Sequence, residues 1–253
     1  MTIIRKLSAV KKPRINKSIN GFILYEGFSV LDNQPIVCIA TLSSSNDKTG
    51  DMIQTWILRS DIHPVSATKT GDDISVCGNC IHRHYNNGAC YVKTFQAPAN
   101  VYKSYKKNNY PKYDPELHNQ YFIGRKIRLG AYGDPAAIPY EIFKNITDIT
   151  LGHTGYTHQV KHKNFDDRYL SLCQVSVDSP KQAEKYQKLG AKTFRVAMDG
   201  DSLLGNEIEC LADSQGIQCK DCMLCDGQKK NIAITVHGNL SGRFKTSIVK
   251  LVG

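Results

Sequence analysis

Short apolar runs separated by turn residues open the chain. Gly21-Phe22-Ile23-Leu24-Tyr25 and Pro35-Ile36-Val37-Cys38-Ile39-Ala40 flank Leu31-Asp32-Asn33-Gln34, and β-branched and aromatic runs around such a turn predict a β-hairpin. A polar loop from Ser43 to Gly50 leads to a third strand, Met52-Ile53-Gln54-Thr55-Trp56-Ile57-Leu58. The period then changes. From Ala97 to Asn108, Val101, Tyr102 and Tyr105 recur at helical spacing among Lys103, Lys106 and Lys107. A strand from Lys126 to Leu129 ends in Gly130-Ala131-Tyr132-Gly133-Asp134-Pro135, and a helix is expected over Tyr140 to Ile149. Further strands are expected at Gly155 to Val160, Leu170 to Val177, Lys192 to Ala197, Ile232 to His237 and Thr246 to Val252. Ser179-Pro180 reads as the N-cap and first turn of a helix that stops near Gly190. Strands alternating with helices of this length predict parallel βαβ units and an α/β fold.

Composition refines that picture. A hydrophobic share of 41% over 253 residues supports a full core. Three regions emerge: a basic arm over 1–19 that contains Lys11-Lys12-Pro13-Arg14, an α/β core over 20–205, and a cysteine-rich segment over 206–253. The net charge of +10 points to a polyanionic partner, nucleic acid above all, because Lys and Arg beside phosphates gain from counterion release. No run of about twenty apolar residues suggests a membrane span, and the first residues lack the apolar stretch of a secretory signal.

Seven of the nine cysteines fall into two groups, Cys77, Cys80 and Cys90, then Cys210, Cys219, Cys222 and Cys225. In an intracellular chain, thiols spaced two residues apart suit metal better than disulfides. The later group has enough thiolates to close a structural site. The earlier one leaves a position for a small ligand, a water, or His82 or His84. Spacing alone leaves zinc and an iron–sulfur cluster both open.

In βαβ proteins the chemistry sits at the carboxyl ends of the strands. The candidates there are Gly130, Gly133 and Asp134, where glycines would let a ligand approach the backbone and Asp134 would accept a hydrogen bond from it. They are joined by His158 and by Ser176 and Asp178, polar residues that alternation places on one face with Gln174, unless Ser176 and Asp178 merely cap the next helix. Lys103, Lys106 and Lys107 are candidate phosphate contacts, with Tyr102 and Tyr105 for stacking on bases. The competing reading is an ordinary amphipathic helix with its tyrosines packed inward.

Three cysteines after an early strand, a strand ending Gly-x-x-Gly-Asp-Pro, further βα units and a C-terminal cysteine-rich segment together resemble the radical S-adenosylmethionine enzymes. That resemblance implies a partial (β/α) barrel behind the N-terminal β-hairpin region. It also implies a [4Fe–4S] cluster on Cys77, Cys80 and Cys90, a cofactor amino group at Gly133, Asp134 and Pro135, and an auxiliary cluster on the later cysteines. The family's usual spacing is C-x3-C-x2-C, whereas this chain has C-x2-C-x9-C. The stretches Lys48 to Trp56, Leu129 to Pro135 and Ser176 to Ser179 are also similar to a group of phage and plasmid proteins, which implies the cytoplasm of a bacterial host. The expected activity is thus an iron–sulfur, radical-type enzyme acting on nucleic acid or a nucleotide-like substrate. The alternative is a zinc-stabilised nucleic-acid-binding protein without catalysis. His82-Arg83-His84 followed by Tyr102, Tyr105 and Tyr110 bears a fainter likeness to rolling-circle nicking enzymes.

Overall fold

The computed structural model describes residues 19–237, 241–244 and 246. The basic arm, up to residue 18, and all but the first residue of the expected last strand lie outside the described residues. That first residue, Thr246, is helical, as are 241–244.

The hairpin forms where the apolar runs predict it. β1 (Gly21–Phe28) pairs antiparallel with β2 (Pro35–Thr41), and β2 with β3 (Ile53–Arg59). Asn33 makes the tight turn with φ of 60°, a conformation that asparagine tolerates better than branched residues. After β3 come the short helices α1 (Pro64–Thr70) and α2 (Ile74–Cys77), then α3 (Ala97–Lys106) and α4 (Pro115–His118). The chain returns parallel to β3 as β4 (Lys126–Tyr132), continues through α5 (Tyr140–Thr147), and returns again as β5 (Gly152–Thr154), parallel to β4. These five strands form one sheet, in the order β1-β2-β3-β4-β5.

A second five-stranded sheet starts one residue later. It contains β6 (Tyr156–Thr157), β7 (Gln174–Val177), β8 (Thr193–Ala197), β9 (Glu207–Glu209) and β10 (Asn231–Thr235), all parallel, in the order β6-β7-β8-β10-β9. Helix α6 (Pro180–Lys188) links β7 to β8, and α7 (Leu211–Ser214) and α8 (Cys219–Cys222) lie between β9 and β10. The protein is therefore α/β with two mixed or parallel sheets. Because β10 lies between β8 and β9, the cysteine-rich segment contributes strands to the sheet of the core. The strand expected from Leu170 starts only at Gln174, since Asp167–Ser171 forms a 3-10 turn whose N-cap is Asp166, accepting the Arg168 N–H at 3.0 Å.

The main core lies under the first sheet, where Phe22, Ile36, Ile39, Ile57, Ile127, Leu129 and Phe143 are all fully buried. Side chains of this kind contribute about 1.5–3 kcal/mol each on burial. On β7, Val175 and Val177 face Ala183 of α6 while Gln174 and Ser176 take the opposite face. Among the described residues no helix is long and apolar enough to cross a membrane.

Candidate functional site

Two parallel pairs of strands, β3 with β4 and β6 with β7, direct the chain after their carboxyl ends toward one place. Beyond β3, helix α2 ends at Cys77, and the loop after it carries Cys80 and Cys90. Beyond β4 stands Asp134, whose N–H donates to Val76 O at 2.6 Å and so ties the turn to α2. Beyond β6 come His158, whose N–H donates to Asp134 Oδ2 at 2.7 Å, and Gln159. Beyond β7 comes Asp178, which accepts from His82 Nε2 at 2.8 Å. The His82 and His158 rings lie 6.1 Å apart. Residues scattered from 77 to 178 thus share one end of the strand set.

The cysteine loop is held by contacts of its own. Asp73 forms a buried ion pair with Arg83, and Arg83 Nη2 also donates to Gly71 O at 2.5 Å. Gln159 Nε2 donates to Cys77 O at 2.9 Å, while Gln159 Oε1 accepts from Asn79 N–H at 3.2 Å, gripping the turn between the first two cysteines from both sides. Cys90 N–H donates to His82 O at 2.8 Å. Burial pushes the Cys80 and Cys90 thiols up to about 12, although the His82 and Val92 backbone N–H groups bonded to these sulfurs pull the other way. Burial likewise raises Cys77 well above the ordinary thiol value, reinforced by Asp73 and by the other two cysteines. Charge on these sulfurs is thus unfavourable without a cation, which would invert the balance. Among the described residues no three His, Cys, Asp or Glu side chains are already gathered to hold a metal ion. Protonated thiols have no mutual attraction, and it is binding that draws ligands together.

Asp134 is buried, and burial raises its pKa while His158 lowers it. Its carboxylate accepts from Ala136 N–H at 3.0 Å as well as from His158, so it caps the 3-10 turn Pro135–Ala137 and links two strand ends. The two glycines answer to the protein's own packing rather than to room for a ligand. A Cβ on Gly133 would meet Ile57 Cβ at 2.7 Å, and one on Gly130 would meet Gly133 O at 2.5 Å; both residues have positive φ, 82° and 67°. Ser176 is half-buried on β7. Helix α6 is capped by Ser179, whose Oγ accepts from Gln182 N–H at 3.3 Å, so neither Ser176 nor Asp178 is the cap. Asp178 is left for His82, whose bond holds its carboxyl below the usual range against the upward push of burial.

The later cysteines lie elsewhere. Cys210 and Cys225 are buried with Ile232 and Ile234 against Tyr156 and Phe194, on the face of the second sheet opposite α6. Cys219 and Cys222 bound α8, whose Cys219 N–H donates to Lys48 O at 2.9 Å. Burial pushes the Cys225 thiol up to about 12, with Cys210, Cys219 and Cys222 adding to the rise. All nine cysteines are free thiols.

The basic helix α3 packs its tyrosines inward. Tyr102 is buried edge-on against His63, at 5.3 Å between ring centroids, and the Tyr105 hydroxyl donates to Glu26 Oε1 at 2.6 Å. Lys106 lies over both rings, 5.8 and 5.7 Å from their centroids, with Tyr102 buried and Tyr105 half-buried. Lys103, Lys106 and Lys107 are exposed. Gln159 and the Asp73–Arg83 pair escape sequence reasoning, because nothing in the local pattern says which loop a buried polar residue will reach. Comparison with protein-family models, with curated proteins and with solved structures returns no match.

Proposed function

We propose that this chain is a metal-dependent enzyme of the iron–sulfur, radical S-adenosylmethionine type, working at the carboxyl ends of its parallel strands. The observation that carries the reading is the convergence of four strand ends, which sets the loop of Cys77, Cys80 and Cys90 beside Asp134, His158 and Asp178. Strands β3, β4 and β5 run parallel in the first sheet and β6, β7 and β8 in the second, an order that supports a partial (β/α) barrel. Cys77, Cys80 and Cys90 would hold the cluster, which when loaded supplies an electron to a bound sulfonium cofactor. Asp134 orients the His158 backbone, and Asp178 fixes the His82 ring. Cys210, Cys219, Cys222 and Cys225 have the donor set of a closed four-thiolate centre. The charge of +10 favours a nucleic acid or nucleotide-like substrate.

One observation favours a zinc site instead. His82 Nδ1 is buried without a hydrogen-bond partner while Nε2 is held by Asp178, the orientation a metal-bound histidine takes. Anaerobic purification with iron, zinc and sulfide analysis separates the two. The enzyme reading expects brown protein whose iron falls in Cys80→Ser and persists in His82→Ala. Colourless protein with stoichiometric zinc that is lost in His82→Ala would overturn it.

A further inference from the structure

The loop that carries the first cysteines also carries three large rings in solvent. Tyr85 is 56% exposed, Tyr91 70% and Phe95 66%. A single exposed ring is ordinary, but three within the stretch 85–95, beside the candidate site, need a reason. Two of these rings, Tyr85 and Tyr91, are also propped. The Tyr85 ring lies against Gly71, where an added Cβ would meet it at 3.1 Å, with the Arg83 guanidinium 5.8 Å from its centroid. The Tyr91 hydroxyl accepts from Arg128 Nη2 at 2.5 Å. Backbone bonds from Gly88 N–H to Arg83 O at 3.0 Å and from Asn87 N–H to His84 O at 2.9 Å hold the loop that presents them. A supported aromatic ring with an open face costs little conformational entropy on binding.

The charge along this part of the sequence is one-sided. No residue from 74 to 113 is Asp or Glu, while the exposed Lys93, Lys103, Lys106, Lys107 and Lys112 fall in that stretch; Arg83 is buried and paired with Asp73. Asn86, Asn87 and Lys93 are exposed between the rings, so the loop offers no continuous apolar face to sink into a lipid layer. Open ring faces interleaved with cations and free of acids match one partner, an unpaired polynucleotide whose bases stack while its phosphates are neutralised. A duplex hides its base faces and does not fit. We infer that Tyr85, Tyr91 and Phe95 form a stacking surface for single-stranded nucleic acid, which leads an unpaired base toward the cysteine site. It rests on the proposed function only for where the strand leads. Tyr102 and Tyr105 are less open, the first buried and the second half-buried.

The test is fluorescence anisotropy with the full-length protein and a fluorescein-labelled oligothymidine, its RNA counterpart and a duplex of equal length, at several salt concentrations. Single strands should bind more tightly than duplex. Tyr91→Ala and Phe95→Ala should each weaken single-strand binding about tenfold with an unchanged salt slope, since a stacked base is worth about 1–3 kcal/mol. Lys93→Glu should flatten the slope. Phe95→Leu keeps the apolar bulk and guards against misfolding, and it should bind as weakly as the alanine variant. Full binding by Phe95→Leu, no loss in Tyr91→Ala and Phe95→Ala, or tighter duplex binding would each overturn the inference. So would ring-dependent sedimentation with phosphatidylglycerol vesicles in the absence of strand binding. Titration needs no turnover. Inactive protein that still binds strands through these rings would sink the enzyme reading alone, and active protein that does not would sink this inference alone.

Discussion

Gln159 illustrates how one buried amide disciplines a loop that the sequence describes only as two close cysteines. It reaches from the end of β6 to Cys77 O and Asn79 N–H, and its side chain fills the space beside Gly78. Gln159→Ala removes the partner of two part-buried backbone groups, at about 0.5–1.5 kcal/mol for each hydrogen bond lost. The expected outcome is a lower melting temperature together with metal content reduced toward that of Cys80→Ser. Unchanged metal in a destabilised variant would mean that the grip serves folding only. Arg195 is a second residue whose partner is invisible in the pattern. Its fully buried guanidinium meets the fully buried Glu207 carboxylate at 2.7 Å. Glu207→Ala leaves the charge to half-exposed Asp201 alone, and urea titration should register a loss of about 3–5 kcal/mol.

Helix α3 shows the same division between what is local and what is not. Its spacing predicts a helix over Ala97 to Asn108, and the helix runs from Ala97 to Lys106. It packs against α1 and β3, and a side-chain contact ties it to strand β1, none of which the pattern names. The link is Glu26, which accepts from the Tyr105 hydroxyl at 2.6 Å and faces Lys112 at 3.3 Å, and these contacts hold its pKa below 4.5 against weak burial. A depressed carboxylate stabilises the fold above its unfolded pKa, and that contribution disappears as pH falls through the folded one. Glu26→Gln should therefore lose stability at neutral pH, and its melting temperature should fall less than the parent's on acidification below about pH 4.5. Parallel acid limbs for the two proteins would show that Glu26 does not anchor the helix. The group is exposed, so the effect is a fraction of that expected for Glu207→Ala.

At the scale of the molecule, one glycine joins the two sheets. Gly155 lies between β5 and β6, donates to Cys225 O and accepts from Gln174 N–H, both at 2.9 Å. A Cβ there would meet Cys173 Sγ at 2.7 Å and Leu172 O at 2.8 Å. Gly155→Ala should cost about 1–3 kcal/mol by overpacking. The single tryptophan, Trp56, lies on β3 of the first sheet and reports on that sheet, whereas circular dichroism reports on both. The two urea transitions should shift together in Gly155→Ala. Separation of the two signals would mean that the sheets fold independently and that the seam is no more than a connection.

What the sequence determined by itself was whatever depends on neighbours along the chain. The hairpin around Asn33, the alternation of strands and helices, the Ser179 cap and the two groups of cysteines all follow from period, turn chemistry and spacing, which act over a few residues. Only the tertiary structure decided that the second sheet takes β10 between β8 and β9, that Gly130 and Gly133 serve the turn, and that Tyr102 is buried and Tyr105 half-buried while Tyr85, Tyr91 and Phe95 are exposed. Those outcomes depend on which distant surface each residue meets. A period of 3.6 or 2 assigns a side chain to a face, but it is the packing partner, chosen by shape and by the need to pair every buried polar group, that makes that face core or site.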